Sequence, residues 1–174
     1  MATCFNALII NSSNGTSVVV GDALKLPELR RGVPEVLVHE AGLGAEIRWV
    51  HAGEAPDIAS MLKGGELLLT TGMGIGHSAA AQRRLVEELV ERRIAALVLE
   101  LGTSFREVPD GLVRAAKDRG LCLIVLHRQV RFVEVTEAIH RLLIDQGGEM
   151  LRSADQLHRR FTALMLGGAG VPEI

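Results

Sequence analysis

The sequence predicts an α/β domain with a mostly parallel sheet and helices on both faces. Three observations carry that expectation. Short apolar runs at 66–70 (E-L-L-L-T), 95–101 (A-A-L-V-L-E-L) and 121–126 (L-C-L-I-V-L) are nearly continuous, as strands covered on both faces are. Between them, 79–93 and 110–119 show helical periodicity. Strands that alternate with helices call for parallel pairing through crossover connections.

Each element follows from local chemistry. Residues 1–17 end in the polar cluster N-S-S-N-G-T-S and read as an extension, disordered or a cloning remnant. Residues 24–29, with Pro27, read as a short helix or turn. The segments 35–39 and 45–51, rich in β-branched and aromatic residues around Gly42-Leu43-Gly44, suggest a hairpin. A short helix at 57–62 leads into the strand at 66–70. In the helix at 79–93, Leu85, Val86, Leu89 and Val90 form one face, and Arg83, Arg84, Glu87, Glu88 and Glu91 the other. Gly120 stands where a left-handed cap ends the helix at 110–119. After the strand at 121–126 comes H-R-Q-V-R-F and then a long C-terminal helical pattern from Phe132 to Leu166. Its stripe of Val133, Ile139, Leu142 and Leu143 resumes beyond Gly147-Gly148 with Met150, Leu151, Ala154, Leu157, Phe161, Leu164 and Met165. That spacing suits a helix folded back on its own domain or a dimer seam. The expected division is an extension (1–17), a regulatory domain (18–145) and a helical connector to a missing downstream domain (146–174).

Composition narrows the function classes. The net charge is −2, from 19 basic and 21 acidic residues, and the basic residues are scattered. A chain that neutralises many phosphates carries a basic excess, so DNA binding by this segment is not expected. Aromatic residues make up 3% and tyrosine is absent, which leaves few stacking platforms for single-stranded nucleic acid. Cys4 and Cys122 form no metal or redox motif, and Cys122 reads as a small buried hydrophobe. No basic leader opens the chain, and no apolar run approaches the roughly 18 residues of a membrane span. A soluble cytoplasmic protein is the expectation.

The order of motifs is specific. L-P-E-L-R-R-G-V-P-E-V-L is followed by G-L-G-A-E-I-R-W-V-H, then M-L-K-G-G-E-L-L-L-T-T-G, I-A-A-L-V-L-E-L-G, E-V-P-D-G-L and L-C-L-I-V-L-H-R-Q-V-R-F-V-E-V. This series, from Val18 to Ile144, resembles the N-terminal domain of purine-catabolism-regulator (PucR) transcription factors. The resemblance implies a bacterial regulator of nitrogen and purine-compound catabolism. It also implies that DNA is contacted only through a helix-turn-helix domain absent from this chain, downstream of a middle region. It supplies no effector and no binding residues.

A candidate site is therefore argued from chemistry. Ligands of open parallel sheets bind outside the carboxyl ends of the strands. Those ends supply Thr70, Thr71, Gly72, Met73 and Gly74 from one strand, Glu100 and Gly102 from the next, and His127 and Arg128 from the third. Glu100 suits a ring or urea N–H, and Arg128 a carbonyl or carboxylate, so a purine or ureide-like effector fits. His51 and Glu54 join the rim if their strand is parallel to the others. Each residue also has a structural role open to it. The threonines suit turn capping, the glycines positive φ or close packing, and Glu100 an ion pair with Arg128 or Arg106.

Enzyme readings find no support. G-M-G-I-G lacks the final glycine of a dinucleotide fingerprint because His77 stands there, and no Lys-Ser or Lys-Thr follows as in a P-loop. No G-x-S-x-G elbow, metal-ligand spacing or cofactor motif occurs. The expected function is a regulatory domain that binds a small metabolite and forms a homodimer. The alternative is an assembly module that dimerises without an effector.

Overall fold

The computed structural model describes residues 17–145, so the expectations for 1–16 and 146–174 lie outside the described residues. Five strands form one sheet: β1 (Pro34–Val38), β2 (Trp49–Ala52), β3 (Glu66–Thr70), β4 (Ala96–Glu100) and β5 (Leu123–Leu126). Their order is β1-β5-β4-β3-β2, with β2 to β5 parallel and β1 antiparallel to β5. Helices α1 (Val20–Ala23), α2 (Pro27–Arg30), α3 (Ala79–Glu91) and α4 (Asp110–Arg119) are joined by α5, which occupies residues 132–145. Two 3₁₀ turns, Glu40–Gly44 and Ile58–Met61, complete the architecture.

Strand alternation divides the interior into two cores. Leu68, Leu97, Leu99 and Leu123 face α3 and α4, meeting Leu85, Val86, Leu89, Leu112 and Ala116. Leu67, Leu69, Ala96, Val98, Ile124 and Leu126 face the other way, toward Ala23, Leu29, Val135 and Ile139 of α1, α2 and α5. Because β3, β4 and β5 follow one another across the sheet, right-handed crossovers set α3 and α4 side by side on one face. Helices thus cover both faces, as the apolar strands require.

Helix ends agree with local chemistry. The Ser78 hydroxyl accepts a 3.2 Å hydrogen bond from the Ala81 N–H and caps α3. Gly120, at φ 68°, ends α4 in the left-handed conformation expected of it. Helix α3 stops at Glu91, two residues short of the expected 93, and Arg93 turns left-handed at φ 57°. The short helix expected at 57–62 is the 3₁₀ turn Ile58–Met61.

The expected hairpin is corrected. β1 and β2 lie at opposite edges of the sheet, and neither pairs with the other. Gly42 is not a hairpin turn residue; it lies in the first 3₁₀ turn, where the chain crosses close to the start of β5. A Cβ built on Gly42 lies 2.6 Å from the Cβ of Cys122, so only glycine permits that approach. Cys122 is buried, and desolvation pushes its thiol up to about 11, so it packs as a hydrophobe.

Candidate functional site

β2, β3, β4 and β5 all end at the same rim, so Glu54 joins the expected residues there, while His51 lies within β2 beside Leu68. The segment after β2 carries the Glu54 side chain into the loop after β3. Glu54 Oε1 accepts the Thr71 N–H at 2.6 Å. Its Oε2 accepts the Thr70 hydroxyl at 2.8 Å and the Met73 N–H at 3.1 Å. The Gly72 N–H donates to Thr70 Oγ1 at 3.0 Å, with Gly72 at φ 88°. The loop after β3 is thus an anion cradle, and an internal carboxylate fills it.

Close packing holds this cradle shut. A Cβ on Gly74 falls 2.5 Å from the Glu54 carbonyl oxygen and 2.8 Å from that of Ala55. A Cβ on Gly72 falls 2.8 Å from the ring of Phe105, which also meets His77 at a centroid distance of 5.5 Å. The void beside Glu54, Thr70 and Gly74 measures about 10 Å³, close to the space of one water. The lack of a preformed cleft at this rim, among the described residues, has a topological cause. Such clefts open where strand order reverses, and from β2 to β5 the order never reverses.

The neighbouring strand ends are engaged separately. Glu100, 4% exposed, accepts the Val130 N–H at 2.8 Å through Oε2, so its partner is a backbone amide rather than the expected Arg128 or Arg106. Gly102, at φ 105°, donates its N–H to the Phe105 carbonyl at 2.8 Å. His127 Nε2 lies 2.6 Å from Glu35 Oε2 on β1. Arg128 is exposed, and its N–H donates to the Gly32 carbonyl at 3.0 Å. Thr70, Thr71, Gly72, Met73 and Gly74 therefore gather around Glu54, whereas His127 and Arg128 are tied toward the β1 edge.

The sequence makes Glu54 a candidate only on a parallel β2, and Glu66 is not among the expected residues. The Glu66 carboxylate, 6% exposed in total residue area, accepts the N–H groups of Lys63 at 2.7 Å and Gly64 at 2.8 Å. Glu66 opens β3, at the opposite end of the sheet from the rim, and the available signal is an acid directly after Gly64-Gly65. Among the described residues no three His, Cys, Asp or Glu side chains are grouped to hold a metal ion, and no helix is long and apolar enough to cross a membrane.

The fold and rim define a single-sheet α/β domain in which half-buried Glu54 and buried Glu100 hold the loops at the carboxyl ends of the strands. The chain belongs to the purine catabolism regulatory protein-like (PucR) family, whose model matches residues 22–143. It is 23% identical over 153 residues to the purine catabolism regulatory protein of Bacillus subtilis (strain 168), covering 88% of this chain and 28% of that protein. It is 26% identical over 105 residues to the transcriptional activator PmfR of Paenarthrobacter nicotinovorans, covering 60% of this chain and 22% of that protein. The chain thus spans about a quarter of the length of these two relatives, both named as regulators. Among solved structures, it is similar to the CBS and DRTGG domains of the regulatory region of Clostridium perfringens pyrophosphatase, complexed with the activator diadenosine tetraphosphate. That similarity has a TM-score of 0.42 at 15% identity and covers 76% of this chain and 51% of the other.

Proposed function

We propose that this chain is the sensory part of a PucR-type transcription factor, binding a small purine or ureide-like metabolite without contacting DNA itself. The observation that carries this reading is the set of donors gathered at the end of β3: two backbone N–H groups and a hydroxyl around a half-buried carboxylate. Glu100, Gly102, His127 and Arg128 stand at the adjoining strand ends. The net charge of −2 supports DNA contact through another part of the protein. Occupancy would bias a homodimer or interdomain contact through α5, provided the metabolite binds one arrangement more tightly.

A thermal-shift panel of purines, ureides and amino acids tests this. A true effector at one hundred times its Kd stabilises the chain by about 2.7 kcal/mol. The Thr71 hydroxyl is buried without a hydrogen-bond partner among the described residues, so Thr71→Val should fold at least as stably as the parent and lose the response. A panel in which nothing shifts the parent contradicts the sensor reading. The second reading, an assembly module without an effector, is favoured by one observation: Glu54 and Glu100 already satisfy the loop amides. It predicts a dimer by light scattering that no metabolite alters.

A further inference from the structure

We infer that Glu54 is a tethered stand-in for an effector carboxylate: the cradle of Thr70, Thr71 and Met73 is a receptor for a carboxylate-bearing metabolite, which binds by displacing Glu54. The inference rests on the sensor reading and assigns its ligand chemistry. All three groups that meet Glu54 are donors, and between them they occupy both of its oxygens. Charge-assisted donors to a carboxylate select an anion over a neutral amide of the same shape.

Three features separate Glu54 from the two other loop-holding carboxylates. Glu66 and Glu100 lie on β3 and β4 and are almost fully buried, so their strands fix them. Glu54 is half-buried and lies outside regular secondary structure, between β2 and the turn Ile58–Met61, so it can swing outward without breaking a strand. Beside it, the Thr71 hydroxyl is buried with no partner among the described residues, leaving a donor for a second polar atom of an incoming molecule.

The exchange also balances electrostatically. One anion leaves the cradle as another enters, so no additional charge is buried. The tethered carboxylate competes at an effective concentration of roughly millimolar, which lowers the apparent affinity of the parent chain and makes occupancy a switch. Expelling Glu54 frees the end of β2. Trp49, at the far end of that strand, meets His140 of α5 at a centroid distance of 4.5 Å with the rings tilted by 47°, so β2 itself links the cradle to the helix.

Chemical rescue tests the assignment, with acetate as the probe. Glu54→Ala should lower the melting temperature. Acetate, added stepwise at constant ionic strength, should recover most of that loss saturably, whereas acetamide and chloride should not. Acetate performing no better than acetamide would overturn the inference and leave Glu54 as a loop cap. If the alanine variant does not fold, Glu54→Gln serves, because it keeps side-chain volume but replaces the charged carboxylate by a neutral amide whose NH2 faces a donor of the cradle; equal responses to acetate and acetamide there overturn the inference too. The outcomes are separable. Metabolite shifts in the parent chain without acetate rescue keep the sensor and remove the carboxylate assignment, while rescue without any metabolite shift keeps the receptor and removes the sensor.

Discussion

Replacing Gly74 with alanine is expected to cost about 2–3 kcal/mol and to dismantle the cradle around Glu54. The new Cβ would sit 2.5 Å from the Glu54 carbonyl oxygen and 2.8 Å from the Ala55 carbonyl oxygen. Both are backbone atoms, so no rotamer change relieves the overlap. The loop after β3 must move away from the segment after β2, and the Thr71 and Met73 amides then lose the Glu54 carboxylate. Urea denaturation should show a lower midpoint at an unchanged slope, and hydrogen exchange should quicken at Thr71. Gly44→Ala is the control, because a Cβ there meets nothing within 4 Å. Equal midpoints for the two variants would mean that close apposition at Gly74 contributes nothing.

Glu100→Ala should destabilise the chain by about 2 kcal/mol, within the range for a hydrogen bond to a charged group whose removal strands its partner. The Val130 N–H loses its acceptor at the connection between β5 and α5, so amide protection should fall there first. Glu100→Gln keeps a carbonyl oxygen for that N–H and should lose less than half as much. Exchange at Val130 separates the outcomes: unchanged protection in the alanine variant would show that the carboxylate does not hold this connection. Because the connection leads into α5, the same variant asks whether a ligand at the rim can act on the helix.

Much of the fold was legible because its signals are local. The apolar run at 66–70 matches β3 and the periodic stretch at 110–119 matches α4, since strand burial on both faces and helical amphipathicity are each written within a dozen residues. The hairpin reading failed for the opposite reason. Gly42 looks like turn chemistry, but its glycine is required by Cys122, eighty positions away, and no local pattern records that approach. β1 instead pairs with β5, through Pro34 with Leu126 and Glu35 with Val125.

The candidate site divides in the same way. Thr70, Thr71, Gly72, Met73 and Gly74 were legible as a hydrogen-bonding strand end, because they are contiguous. Glu54 reaches them only because β2 runs parallel beside β3, and strand order is a long-range property. The partners of Glu100 and His127, Val130 and Glu35, depend on the geometry of the β5 end and the antiparallel β1 edge. Opposite charges in the sequence suggested Arg128 or Arg106 for Glu100. A buried carboxylate is also satisfied by a backbone N–H, and every residue except proline carries one.

A metabolite that acts at the end of β3 must perturb the amides that hold Glu54. An amide spectrum of the parent chain shows this, titrated with whichever carboxylate-bearing ureide or purine derivative raises its melting temperature most. The largest saturable shifts should fall on Thr71 and Met73, which exchange one carboxylate for another, followed by residues 53–57. Stationary Thr71 and Met73 amides would contradict the account, above all if shifts appeared instead at the groove between α2 and α5 lined by Leu26, Pro27, Ala138 and Leu142.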